Sequence, residues 1–186
     1  MAQPPHVSRE SLLAAARQLL EAEGPSGLTM RGLARALGVQ APSLYFHVES
    51  RDDLVRELIV HALAELGEAL ETAEREGGSL SDRARALARA YVSFAAHNPQ
   101  LFALLFAPCD DIPPLDLSYS EPASAVLLRL AADAAGPDRA IPFGQALWAF
   151  VHGFTVLNAA GQFRLTEDAS PALELGLAAL LAGVRA

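Results

Sequence analysis

Apolar residues, mostly alanine and leucine, recur three and four positions apart through nearly the whole chain, and the runs are cut by Gly, Pro and Ser/Thr/Asp. No alternating stretch of useful length and no Asn-Gly or Asp-Gly pair is present, so nothing in the pattern feeds a sheet or a hairpin. The chain is therefore expected to be all-α, with about nine helices.

The punctuation places them. Ser8, with Ser11 three residues on, starts a first helix to Glu23, with Leu12, Leu13, Ala16, Leu19 and Leu20 as its apolar stripe, and Gly24-Pro25-Ser26-Gly27 ends it. Thr29 is a good N-cap for a second helix over Met30 to Leu37, Gly38 breaks it, and Pro42 suits the first turn of a third helix through Phe46. Ser50 to Asp53 opens a fourth helix, with acids in its first turn, running to about Glu76 before Gly77-Gly78. Further helices are expected at Leu80–His97, Pro99–Ala107, Tyr119–Ala135, Pro142–Phe163 and Pro171–Val184, with Pro108 to Ser118 as a long loop. The fourth helix, roughly 37 Å long at about 1.5 Å per residue, is long enough to join two bodies. The expected domains are a head, residues 1–53, and a body, residues 54–186.

Composition bounds the function. Of 186 residues 52% are hydrophobic, enough for a core, and 14 basic against 22 acidic residues give a net charge of −8, every base being arginine. Bulk acidity argues against nonspecific coating of nucleic acid, yet leaves room for a local basic patch. A single cysteine, Cys109, excludes an intramolecular disulfide framework and a cysteine-based zinc site and fits a reducing compartment. The first ten residues lack the apolar core of a signal peptide, and no run approaches the roughly 18 apolar residues of a membrane span. A cytoplasmic protein with no membrane partner is expected.

The chemistry concentrates in Leu28 to Val55. Leu33, Ala34 and Leu37 on one helix, Val39 in the turn, and Leu44 with Val48 beyond it can close a small core at the angle of a helix-turn-helix. That leaves Gln40, Ala41, Pro42, Ser43, Tyr45 and His47 near the exposed start of the third helix, where base edges and phosphates are read, and Arg31 at the start of the second. The run Gly38-Val39-Gln40-Ala41-Pro42-Ser43-Leu44-Tyr45-Phe46-His47-Val48, preceded by Ala-x-x-Leu and followed by Ser-Arg-x-x-Leu, resembles the DNA-binding domain of the TetR family of bacterial repressors. The resemblance implies base contacts for Arg31 and Gln40 and apolar contact of Pro42 and Ala41 with a thymine methyl. It implies phosphate contacts for Thr29, Ser43, Tyr45, His47 and Arg51. Arg51 stands where the family usually has lysine, Pro42-Ser43 where many members have glycine and threonine, and Val48 where phenylalanine is common. These departures bear on the operator sequence rather than on DNA binding itself.

A second segment, Trp148-Ala149-Phe150-Val151-His152-Gly153, resembles the Trp-x-x-x-His-Gly pattern of one group of TetR-family effector domains. On a helix, Trp148, His152, Thr155 and Ala159 share one side, while Phe143, Leu147, Phe150, Phe154 and Leu157 form another. Apolar surface on two sides implies burial on both, one against a ligand and one in a dimer, with the assignment open. Phe94, Phe102, Phe106, Trp148, His152 and Phe154 are the candidate ligand contacts. Taken singly, such aromatics are more often ordinary core than pocket lining, and a histidine such as His152 is more often a core residue bonded to a backbone carbonyl than a ligand contact.

Taken together, the resemblance implies a homodimeric, ligand-responsive repressor. It would bind a palindromic double-stranded operator, pair through its last two helices, and release DNA on binding a small, mostly apolar effector, with neither cofactor nor metal. The alternatives are an activator or constitutive DNA-binding regulator without inducer, and a helical carrier of hydrophobic ligands or an enzyme. Against an enzyme, Cys109, Asp110 and Asp111 lack a glycine-rich phosphate cradle, a nearby histidine base and a His-Glu-x-x-His arrangement. Arg83, Arg85 and Arg89 read as a solvated face or as contacts to an acidic partner. The charge divides unevenly: residues 1–53 carry 5 Arg against 6 acids, or −1, whereas residues 25–51 carry 3 Arg against Glu49 alone, or +2.

Overall fold

A computed structural model of the chain describes residues 7–107, 121–165 and 167–184. These form nine α-helices: α1 Arg9–Gly27, α2 Met30–Leu37, α3 Ala41–Leu44, α4 Arg51–Arg75, α5 Leu80–His97, α6 Pro99–Leu105, α7 Glu121–Ala135, α8 Ala140–Ala159 and α9 Ser170–Gly183. A single 3-10 turn, Pro137–Arg139, precedes α8, and there is no strand among the described residues. Cys109, Asp110 and Asp111 lie outside the described residues, as does the expected loop Pro108 to Ser118.

The local signals act as written. Ser8 and Ser11 form a reciprocal capping box at the start of α1, Ser8 Oγ accepting from Ser11 N at 3.1 Å and Ser11 Oγ from Ser8 N at 2.9 Å. Gly24, at φ 72° and ψ −179°, breaks the helical path, and one further turn through Pro25 runs on to Gly27. Thr29 Oγ1 accepts from Gly32 N at 3.0 Å to cap α2. Gly38 ends α2 at φ 67°, a left-handed conformation that needs no Cβ, and Val39 N donates back to Ala34 O at 2.9 Å.

The helices divide between two compact units, with the division inside α4 after Ala62. The first unit, the head, takes the described residues up to Ala62 together with α6. Here α1 packs against α2 and α6, and α2 against α3, around Leu12, Leu20, Leu28, Leu33, Leu44, Leu54, Ile59 and Leu101. Glu21 fastens α6 onto α1, its carboxylate accepting from Gln100 N at 3.1 Å and Leu101 N at 2.9 Å, while Arg17 donates to Asn98 at 2.7 Å.

The second unit, the body, holds the rest of α4 with α5, α7, α8 and α9. Val126, Leu130, Leu147 and Leu177 are buried within it. Gly67 of α4 lets α7 approach so closely that a Cβ there would sit 2.9 Å from Pro122 Cβ. Arginine–carboxylate pairs bind the periphery: Arg129 to Glu71 (2.9 Å) and Glu74 (2.7 Å), Arg83 to Glu74 (2.8 Å) and Asp133 (2.7 Å), and Glu174 to Arg85 (2.6 Å) and Arg89 (2.7 Å). The face read as solvated arginines is thus a set of ties from α5 to α4, α7 and α9. Burial raises the Glu74 carboxyl, but hydrogen bonds from Arg83 and Arg129 outweigh it and hold the group below its ordinary value.

The 23 residues from Pro137 to Ala159 are long and apolar enough to cross a membrane, with a mean hydropathy of 1.3 in their best window. The stretch is not an unbroken apolar run, since Asp138, Arg139, Gln145 and His152 interrupt it. In the body this segment is a packed helix, with Phe143, Leu147, Val151 and Phe154 buried and α8 set against α5, α7 and α9.

Candidate nucleic-acid interface

The head presents one surface built by α2, the turn and α3. Leu33, Ala34, Leu44 and Val48 are buried beneath it, with Leu37 and Val39 half-buried. That packing leaves Arg31, Gln40, Pro42, Tyr45 and Phe46 exposed, and Ala41, Ser43 and His47 half-buried. Gln40 is the N-cap residue of α3 but makes no side-chain capping bond, and Ser43 Oγ donates to Gln40 O at 2.7 Å. The charge of this stretch is small, so affinity cannot come from bulk attraction and has to come from placed contacts.

Arg51 also has a role inside the head. Its Nε donates to Leu28 O at 2.8 Å and its Nη2 to Pro25 O at 2.8 Å, while Nη1 lies 3.7 Å from Asp52. The planar fork ties the start of α4 to the last turn of α1 and to Leu28, which follows it. A lysine ammonium, a single point donor, does not span the same two carbonyls through a fixed fork.

The six candidate ligand contacts divide. Phe102 and Phe106, ring centroids 4.9 Å apart, lie on and just after α6 in the head. Phe94, Trp148, His152 and Phe154 belong to the body, where Phe94 and Phe154 are buried and Phe154 meets Phe163 at 5.1 Å. Trp148 and His152 meet through a residue that sequence reasoning missed. The Tyr91 hydroxyl on α5 shares a hydrogen bond with His152 Nδ1 at 2.9 Å and accepts from Trp148 Nε1 at a long 3.4 Å. Burial pushes the Tyr91 phenol up to about 12, against a smaller opposing effect of the Trp148 hydrogen bond, and burial also lowers the His152 imidazole. Both groups are thus neutral near pH 7. An open groove of about 540 Å3 elsewhere in the body, between α4 and α5, is lined by Ala69, Ala73, Ala86, Ala90, Arg85 and Arg89 among others, and by none of the six candidates.

Two family models match: "Bacterial regulatory proteins, tetR family" over residues 12–58 and "Tetracyclin repressor-like, C-terminal domain" over residues 84–180. The chain belongs to the TetR family. It is 31% identical to an uncharacterized HTH-type transcriptional regulator of Mycobacterium tuberculosis over 87% of this chain and 74% of that one. It is 28% identical to the regulator YobS of Bacillus subtilis over 96% and 93%. The tetracycline repressor of class D from Escherichia coli is 45% identical over 58 residues, 31% of this chain and 27% of that one. Among solved structures, a protein of unknown function from Rhodococcus sp. RHA1 superposes with a TM-score of 0.85 at 28% identity, covering 98% of each chain. TetR from Acinetobacter baumannii, at 22% identity and a TM-score of 0.69 over 97% of each chain, shares the fold.

In this TetR-family helix-turn-helix transcriptional regulator the first match lies wholly within the head, whereas the second takes in α6 of the head together with α5 and α7 to α9 of the body. Regulators of this family are generally not enzymes, and among the described residues no group of three or more His, Cys, Asp or Glu is placed to hold a metal. The neutral His152 gives a pH dependence whose sign follows from its lowered pKa. Its contribution to stability is fully present above the ordinary value of about 6.5 and is lost as pH falls from there through the lower folded value. A His152→Gln variant is expected to lose less stability than wild type between about pH 7.5 and pH 5 in urea unfolding. Equal losses would remove His152 from this role.

Proposed function

We propose that this TetR-family regulator is a homodimeric, ligand-responsive repressor acting in the cytoplasm. The observation that carries the reading is the exposed set Arg31, Gln40, Pro42 and Tyr45 on a head whose buried core is that of a helix-turn-helix. In this reading Arg31 and Gln40 contact base edges and Pro42 and Ala41 a thymine methyl. Thr29, Ser43, Tyr45 and His47 hold phosphates. Arg51 mainly positions the start of α2 and offers Nη1 to a phosphate.

The dimer forms through α8 and α9. Among the exposed residues of α8, Ile141, Gln145, Ala149 and Val156 fall in a stripe, and among those of α9 Ala172, Leu175 and Ala179 fall in another. Apolar and small residues on two adjoining helices suit a self-complementary contact about a two-fold axis. Two heads then meet successive major grooves about 34 Å apart, which requires a palindromic operator. The effector, small and mostly apolar, occupies the body beside Phe94, Trp148, His152 and Phe154 and favours a head spacing that no longer fits the grooves. A coupling of about 1–3 kcal/mol would change affinity roughly 5- to 150-fold.

Selection of duplexes from a random-sequence library tests the reading, with a palindromic product as the expected result. On the selected duplex Arg31→Ala is expected to cost about 1–3 kcal/mol and to relax preference at one base pair per half-site. An equal loss on all sequences would move Arg31 to the phosphate contacts, and a protein that selects no duplex would overturn DNA binding altogether.

A further inference from the structure

Phe46 is 88% exposed, whereas the other seven of the chain's eight phenylalanines are each buried or half-buried. The exposure is set by the backbone. Phe46 falls in the turn that follows α3, where His47 N donates to Leu44 O at 2.9 Å and Val48 N to Leu44 O at 3.2 Å. Leu44 and Val48 take the inward positions, so the residue two before Val48 is turned out. At helical spacing Pro42, Tyr45 and Phe46 fall on one side, and all three are exposed, Tyr45 by 53%. The head therefore carries a contiguous apolar ridge next to its base-reading residues. An isolated exposed phenylalanine is unremarkable, but a ridge of three at a recognition surface is area to be removed from water on binding.

We infer that Phe46 packs on the deoxyribose of the operator backbone and is an affinity residue that reads no sequence. The inference rests on the DNA-binding reading above. The ridge is continuous with Pro42 and Tyr45, so it meets the same surface that they meet. Phe46 has no donor or acceptor, so the one base feature open to it is a thymine methyl, the contact already given to Pro42 and Ala41 at the other end of α3. It sits beyond the C-terminal end of α3, whereas the base readers Gln40 and Pro42 sit at its start. Sugar faces are the apolar surface a duplex offers at every position, whatever the base.

This contact has a signature unlike those of its neighbours. Losing a phosphate contact lowers the slope of log affinity against log salt, and losing a base contact weakens binding at one position. Losing a sugar contact does neither. Phe46→Ala and Phe46→Leu are titrated by fluorescence anisotropy against the duplex selected by the wild type and against its single-base-pair variants, over a range of salt. Phe46→Ala is expected to bind about tenfold more weakly to all of them by the same factor, with an unchanged salt slope, and Phe46→Leu to fall between. Because the side chain is exposed, both variants are expected to unfold at the wild-type midpoint. Unchanged affinity for Phe46→Ala, a loss confined to one base pair, or a shallower salt slope overturns the inference while leaving DNA binding by the wild type intact. A wild type that selects no duplex overturns both.

Discussion

Leu175→Arg is expected to leave the chain folded and to abolish the dimer. Leu175 is 73% exposed on α9, so within one chain the substitution costs little, and far-UV circular dichroism should show unchanged helix content. In the proposed dimer it stands between Ala172 and Ala179, at the middle of a stripe without charge, and two-fold symmetry places the change in the interface twice. Burying an arginine there without a partner costs several kcal/mol per ion, more than a modest apolar contact returns. With the dimer gone each head binds its half-site alone. Operator affinity should fall by about 10²- to 10⁴-fold, the gain that linking two binding modules supplies. Sedimentation at micromolar concentration checks the state directly. A dimer that survives Leu175→Arg would move the interface off α9.

How much of this was legible in the sequence follows from the range of the interaction. The head's helices are placed by caps and breakers that act within four residues, such as Ser8 with Ser11, Thr29 with Gly32 and Gly38 at φ 67°. All of these stand in the chain as readable signals. The helix over Pro99 and onward was equally readable, but its home in the head was not. It is held there by Glu21 and Arg17, which reach it across 79 to 81 residues, and no local periodicity encodes such a partnership. The same distance hid the two carbonyls that Arg51 engages, 23 and 26 residues away. Tyr91 reads as one more residue on an apolar face. Its bond to His152, 61 positions on, exists only once α5 and α8 are side by side. Phe46 was a missed signal of another kind, because an outward phenylalanine at helical spacing from Pro42 and Tyr45 can be noticed in sequence once Leu44 and Val48 are assigned inward.

Gly176→Val, one position from Leu175, is expected to fail in the opposite way. A Cβ at Gly176 would overlap three carbons of the Phe150 ring, so the glycine exists to let α9 lie against α8 with that ring between them. Phe150 is half-buried and has a route toward solvent, but taking it opens the seam between the two helices. Overpacking of this kind costs about 1–3 kcal/mol, and a β-branched residue belongs at the upper end. Helix propensity offers little relief, since valine is itself a poor helix former. Urea unfolding should therefore show a loss of about 3 kcal/mol in the wild-type background. In a Phe150→Ala background, with the ring gone, the same substitution should cost at least about 1 kcal/mol less, a coupling expected of residues in direct contact. Identical costs in both backgrounds would mean that the ring is not what the valine meets. The pair of neighbours thus separates two faces of one helix: Leu175 is predicted to govern association without folding, and Gly176 folding before association.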